Sequence, residues 1–359
     1  MKSINGVIGL LLILTAAIVS CSKDNSIQNN CSSSGSNAAS VLIPSWVSTS
    51  IVGEMIHPAN NPLTLEGIDL GRELFYETQL SGDNTMSCAS CHSQEFNFSD
   101  SARFSTGITG TMGDRQAMSI VNLAWDNSFF WDGRAISLED QALGPVVNPI
   151  ELNETWVNVM SKLQANAKYP PLFQKAFGTS VIDSNLVTKA IAQFERTMVS
   201  FNSDYDSYFY QGDTSALTSS EKNGYDLFFG QAECIHCHSG PLLNDPVFRN
   251  NGLDDVFADL GLGAVTGLGS DNGKFKVPTL RNIAESGPYM HDGRFATLEE
   301  VVEHYNSGVQ GASPNLDSEM THFIGGLSLT AAEKADLVSF LKTFSDDGFL
   351  NDLDFSDPN

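Results

Sequence analysis

Apolar positions recur at helical spacing through most of the chain. Leu186, Val187, Ala190, Ile191, Phe194, Met198 and Phe201 fall three or four residues apart and predict a linker helix in mid-sequence. Leu337, Phe340, Leu341 and Phe344 repeat the pattern near the end. They follow a Thr330-Ala-Ala-Glu333 start, in which a hydroxyl and an acid satisfy free N–H groups. Few segments alternate apolar and polar residues as strands do. The pattern predicts a mostly α fold with long loops. One apolar run differs in kind. Val7 to Val19 is mostly apolar, follows Lys2 and has the length of a signal-peptide core. It is too short and too early for a membrane span.

Residues 1–20 are therefore expected to be a signal peptide. The run ends at Ile18-Val19-Ser20-Cys21, which resembles the lipobox of bacterial lipoproteins and marks Cys21 for lipidation. An acylated Cys21 would anchor the chain to a membrane, on the periplasmic side or the outer surface of the cell envelope. Residues 21–60 begin with a Ser- and Asn-rich stretch and read as a flexible tether. Cys31 lies in it as a bystander thiol.

The other four cysteines fall as Cys88-Ala-Ser-Cys91-His92 and Cys234-Ile-His-Cys237-His238. Both are C-x-x-C-H, the attachment pattern of c-type haem. Two thiols bind the porphyrin edge and the adjacent histidine is placed to ligate iron. Two such motifs in an exported chain predict two covalently attached haems. A Cys₄ zinc site would need both pairs together, yet they stand over 140 residues apart and each is followed by His. A thiol oxidoreductase would need a βαβ context, which is missing.

The motifs sit in a loose internal repeat. Gly71-Arg-Glu-Leu74-Phe75 precedes the first and Gly224-Tyr-Asp-Leu227-Phe228 the second. Ser119-Ile-Val-Asn122-Leu-Ala124 and Trp131-Asp-Gly-Arg134 follow the first. Thr279-Leu-Arg-Asn282-Ile-Ala284 and His291-Asp-Gly-Arg294 follow the second. Helix starts come next in both, Ser137-Leu-Glu-Asp140 and Thr297-Leu-Glu-Glu300. The chain thus divides into two cytochrome-c-like haem domains born of an internal duplication, residues 61–205 and 206–359. The polar and aromatic stretch 203–215 is the expected boundary.

Charge adds an exclusion. With 19 Lys+Arg against 43 Asp+Glu, the net charge is −24, or −25 once residues 1–20 and Lys2 are removed. So acidic a surface repels phosphates and argues against nucleic-acid binding.

The paired C-x-x-C-H motifs with Phe130-Trp131-Asp132-Gly133-Arg134 and Met290-His291-Asp292-Gly293-Arg294 resemble the bacterial di-haem cytochrome c peroxidases and their relative MauG, over roughly residues 60–345. The resemblance implies that peroxide reacts at the N-terminal haem, with His92 proximal. Counting 10, 14 and 20 residues from Trp131 lands on Gln141, Pro145 and Glu151, which match the family's distal Gln, Pro and Glu. Glu151 would be the general acid/base, Gln141 would position peroxide or water, and Pro145 would shape the wall. Trp131 would relay electrons between the haems. Many members close the resting N-terminal haem with a loop histidine. Residues 104–114 read FSTGITGTMGD and contain none, so this haem is expected to be five-coordinate or water-bound; Met112 is an incidental loop residue.

The C-terminal haem, with proximal His238, would be the electron-transfer site. The usual sixth ligand falls fourteen residues after the His of H-D-G, which here is Tyr305, as in MauG; Met290 is the alternative. The family also carries an interdomain calcium ion, whose ligands would be Gln116, Ser286 and Pro288. The implied activity is reduction of hydrogen peroxide by a small cytochrome c or copper protein. Its rivals are a MauG-like oxidase acting on another substrate and a pure electron-transfer cytochrome. Family members are often homodimers.

Overall fold

In a computed structural model, residues 38–359 are described, with the backbone of Ile27–Asn29. The signal sequence, Cys21 and Cys31 lie outside the described residues. The fold is mostly helical, as the periodicity predicts. Its strands among the described residues are two short antiparallel pairs, Ile27–Asn29 with Ala39–Val41 and Phe248–Arg249 with Phe275–Lys276. No described helix is long and apolar enough to cross a membrane.

Two helix pairs organise the cores. The Leu65–Phe75 helix crosses Ser184–Glu195, and Ser219–Phe229 crosses Ala331–Lys342. The repeated glycine sits at each crossing. A Cβ on Gly71 would lie 1.9 Å from the Ala190 carbonyl oxygen, and one on Gly224 would lie 2.1 Å from that of Asp336. No larger residue permits such approach, which explains why the same G-x-x-L-F pattern opens both halves. Leu70, Leu74, Val187 and Ile191 are buried around the first pair, and Phe228, Leu337, Phe340 and Phe344 around the second.

The other repeated motifs also take matching local forms. Asn122 and Asn282 both adopt left-handed backbone, φ 56° and 55°. Phe129 bridges Ala135 as Tyr289 bridges Phe295. Thr297 and Glu300 form a full capping box. At Ser137 only half forms, because the Asp140 carboxylate accepts from Ile136 N instead, at 3.2 Å.

One expectation needs correction. The mid-chain helix ends at Glu195, so Met198 and Phe201 are buried on irregular chain beyond it. The helix packs in the first core and does not act as a spacer. Residues 203–215, the expected boundary, are partly helical. They contain the Asp204–Phe209 helix, whose Asp206 makes a bidentate, fully buried ion pair with Arg281 at 2.5 and 2.8 Å. The end of the chain returns to the first half: Phe349 and Phe355 pack with Phe98 and Phe194. Arg72 donates to the carbonyls of Leu353 and Ser356 at 2.6 and 2.7 Å.

Glu195 closes the first core with a buried acid. It is 4% exposed, and Oε2 has no hydrogen-bond partner. Burial pushes its pKa up to about 8, against the lowering influence of Arg196, whose guanidinium is engaged by Glu139. A raised carboxyl favours folding below its unfolded value and loses that contribution as pH rises toward the folded one. Glu195→Gln is therefore expected to match the wild type near pH 4 and to be more stable at pH 9, by up to about 5 kcal/mol. Thermal melts at both pH values check this; equal melting at pH 9 refutes it.

Candidate functional site

Each C-x-x-C-H segment folds into the same tight turn. Cys88–Ser90 and Cys234–His236 are single 3₁₀ turns, and the backbone N–H of His92 and His238 each donates to the first cysteine's carbonyl at 3.0 Å. The turn brings the two thiols and the imidazole into one short stretch of backbone. Nδ1 of His92 lies 2.8 Å from the Phe98 carbonyl, and Nδ1 of His238 lies 3.2 Å from that of Leu243. A carbonyl only accepts, so Nδ1 carries the hydrogen and the Nε2 lone pair is free for iron. Burial favours the neutral ring in both, pushing His92 down and His238 down to about 4. Burial also pushes the Cys88 and Cys234 thiols up to about 12. All four cysteines are free of disulfides. Among the described residues no group of three His, Cys, Asp or Glu converges as a metal shell.

An apolar cavity opens over the second motif. Cys234, Cys237 and His238 line it with Leu298, Val302 and Leu341, and Met290 and Tyr305 also reach it. Two thiols, one free imidazole nitrogen, aliphatic walls and candidate sixth ligands are what a covalently held haem requires, so the residues fit the group. Tyr305 stands on a π-helical turn, His304–Gly308, that ends the Leu298–Glu303 helix. Burial pushes its phenol up to about 12. Asn251 donates from Nδ2 to the Tyr305 hydroxyl at 3.3 Å and to the Met290 sulfur at 3.5 Å. His304 instead meets the Asn251 carbonyl through Nε2 at 3.3 Å.

Trp131 lines the same cavity and is 8% exposed. Its indole N–H donates to the Gln116 carbonyl at 2.8 Å, and its own carbonyl accepts from Lys276 N at 2.8 Å. Lys276 also forms a buried ion pair with Asp126. The indole is thus fixed at a junction of the two halves. Arg115 crosses the same junction, donating to Asp132 at 2.6 Å and to both carboxylate oxygens of Asp259 at 2.7 and 2.9 Å. Gln116, Ser286 and Pro288 all line the cavity. The Gln116 side-chain amide nitrogen donates to Ser99 at 2.7 Å.

Gln141 ends the Leu138–Gln141 helix, and Pro145 lies in the Leu143–Val147 helix that follows. The turn after it carries Glu151. The Asn148 amide donates to Glu151 Oε1 at 2.6 Å, and the backbone N–H of Ile108 donates to the Glu151 carbonyl at 3.1 Å. Burial raises the Glu151 carboxyl above the ordinary carboxylate range, opposed by Asn148 and Arg134. The Ile108 bond and the close packing of Gly107 on the Ile150 carbonyl tie the Glu151 turn to the 104–114 hairpin, which follows the first motif in the chain. Segment 104–114 is a tight hairpin with N–H donation from Gly113 to the Ser105 carbonyl at 2.9 Å. Met112 is 64% exposed on it, turned to solvent.

Sequence reasoning missed Asn251, Arg115 and Asn148. Asn251-Gly252 carries only a turn signal, and nothing local in the sequence tells which distant side chains that amide meets.

Comparison with known proteins shows the family. The profile of the di-haem cytochrome c peroxidases, CCP_MauG, matches residues 65–215. The methylamine utilization protein MauG of Methylorubrum extorquens is 40% identical over 80% of this chain and 80% of its own. The cytochrome c551 peroxidase of Nitrosomonas europaea is 34% identical over 82% of this chain and 85% of its own. The crystal structure of a MauG-like protein associated with microbial copper homeostasis superposes with a TM-score of 0.79 at 37% identity, covering 88% of this chain and 98% of that one.

Proposed function

The chain is an enzyme of the di-haem cytochrome c peroxidase and MauG family, and from that premise we propose that it reduces hydrogen peroxide to water with electrons from a small redox protein. The observation that carries this reading is a half-buried Glu151 held by the Asn148 amide on a turn bonded to the 104–114 hairpin that follows the first haem motif. When bound, the two c-type haems supply one-electron chemistry and, at the N-terminal site, an iron face for peroxide. The reaction consumes one peroxide, two protons and two electrons and yields two waters. Glu151 takes a proton from the near peroxide oxygen and delivers it to the far one, which leaves as water. Asn148 holds that carboxyl in place. Gln141 orients the incoming peroxide, and Pro145 stiffens the wall. Trp131 stands on the electron route from the C-terminal entry site, its ring held by the Gln116 carbonyl.

The division into duplicated halves, 61–205 and 206–359, belongs to the same reading. It is supported by the matching glycine crossings and asparagine turns. Export, lipidation at Cys21 and a place in the cell envelope rest on residues 1–21 alone. Calcium at Gln116, Ser286 and Pro288 is a neutral-oxygen site between the halves.

A net charge of −24 favours a donor with a basic docking patch. Mixed with peroxide and a reduced basic cytochrome c, the protein is expected to oxidise two donors per peroxide. The rate should fall as salt rises, because screening shortens the reach of the acidic surface. A salt-independent rate removes the steering argument. A donor that stays reduced removes the peroxidase reading itself.

The second reading is a MauG-like oxidase of a protein or small-molecule substrate. Tyr305 in the cavity and the histidine-free 104–114 loop favour it. The same assay separates the two: this oxidase consumes peroxide against its own substrate and leaves cytochrome c reduced.

A further inference from the structure

We propose that Asn251 is the positioning residue for the sixth ligand of the C-terminal haem site. The inference rests on the reading of Tyr305 as that ligand. The Tyr305 hydroxyl and the Met290 sulfur, both at the cavity, lie 3.3 and 3.5 Å from the same Asn251 amide nitrogen. An amide nitrogen carries two hydrogens, so one amide serves both acceptors at once. The phenol oxygen is the better acceptor, and better still once it has lost its proton. Asn251 therefore holds the oxygen at the cavity and engages the sulfur that would compete for the same place.

The amide is rigidly mounted. Asn250 beside it is 2% exposed and donates to Ser313 Oγ and the Pro314 carbonyl at 2.9 and 2.7 Å. Gly252 on its other side accepts from Gln310 N at 2.8 Å. The segment it holds is irregular and needs an external support. Tyr305 stands on a π-helical turn, a form found mostly at functional positions. Met290 has φ 74°, a left-handed backbone uncommon for a residue with a Cβ, as Phe130 has at the matching place of the first repeat with φ 66°. Asn251 grips the turn twice, His304 through its main-chain carbonyl and Tyr305 through its side chain.

A hydrogen bond to a phenolate draws charge from its oxygen and weakens its donation to iron. Losing that bond strengthens the donor and lowers the midpoint potential. Asn251→Leu keeps the main-chain carbonyl that His304 uses and removes only the amide. Asn251→Asp keeps the shape and removes the N–H donors. In holoprotein of either variant, the ferric optical and paramagnetic spectra of the C-terminal haem are expected to change. Its midpoint potential is expected to fall, while the N-terminal haem stays put in the same titration. A C-terminal potential that is unmoved or rises, or an equal move at both haems, overturns the inference. Tyr305→Phe is run alongside. If it leaves the C-terminal spectrum unchanged, the ligand reading fails and takes the inference with it. If it changes that spectrum while the Asn251 variants do not, the inference alone fails.

Discussion

Glu151→Gln is expected to lower kcat/KM for peroxide by about 10²- to 10⁴-fold, the usual contribution of a positioned general acid/base. Glutamine has nearly the same shape and keeps an oxygen for the Asn148 amide, which now lies 2.6 Å from Oε1. It cannot carry a proton between the two peroxide oxygens. Haem content, resting spectra and thermal stability should therefore stay at wild-type values while turnover collapses. The pH profile gives a second signature. Burial holds the Glu151 carboxyl above the ordinary carboxylate range. The wild-type profile should carry a limb displaced upward from that range, and the variant should lose it. A variant with wild-type kcat/KM would remove Glu151 from the chemistry.

The second large effect concerns activation. The fully oxidised protein is expected to turn over peroxide at once, with no lag, and reducing the C-terminal haem first should bring no gain. A reductive trigger requires a side chain that occupies the N-terminal iron and then leaves. The loop that would supply it, residues 104–114, contains no histidine. Its one soft ligand, Met112, is 64% exposed on a closed hairpin. The hairpin is also pinned to the Glu151 turn. A Cβ on Gly107 would lie 2.2 Å from the Ile150 carbonyl oxygen, and Ile108 N donates to the Glu151 carbonyl. A large loop movement would have to break both contacts. Rapid mixing of oxidised and pre-reduced protein with peroxide should give the same initial rate of donor oxidation.

The features legible in the sequence were local or repeated. The C-x-x-C-H turns are set by five adjacent residues, and the structure adds only the carbonyl partners that orient each imidazole. Gly71 and Gly224 were legible as a repeat, but their reason is tertiary, a helix crossing with no room for a Cβ. Periodicity carried the mid-chain helix too far, because Met198 and Phe201 stay buried after the backbone leaves the helix at Glu195. Polar composition made 203–215 look like a boundary. The buried Asp206–Arg281 pair inside that stretch was not legible, because the partner that makes the buried charge tolerable lies 75 residues away. Asn251 was invisible for a different reason. Its importance lies in the meeting of residues 251, 290 and 305, and no local pattern encodes a contact of that range.

The central claim is a peroxidase whose N-terminal haem is open to peroxide at rest. Low-temperature electron paramagnetic resonance of the oxidised holoprotein tests it most directly. The account predicts a high-spin ferric signal from the N-terminal haem beside a separate signal from the C-terminal haem. Two six-coordinate low-spin signals, with a bis-histidine N-terminal haem that changes only on reduction, would contradict it.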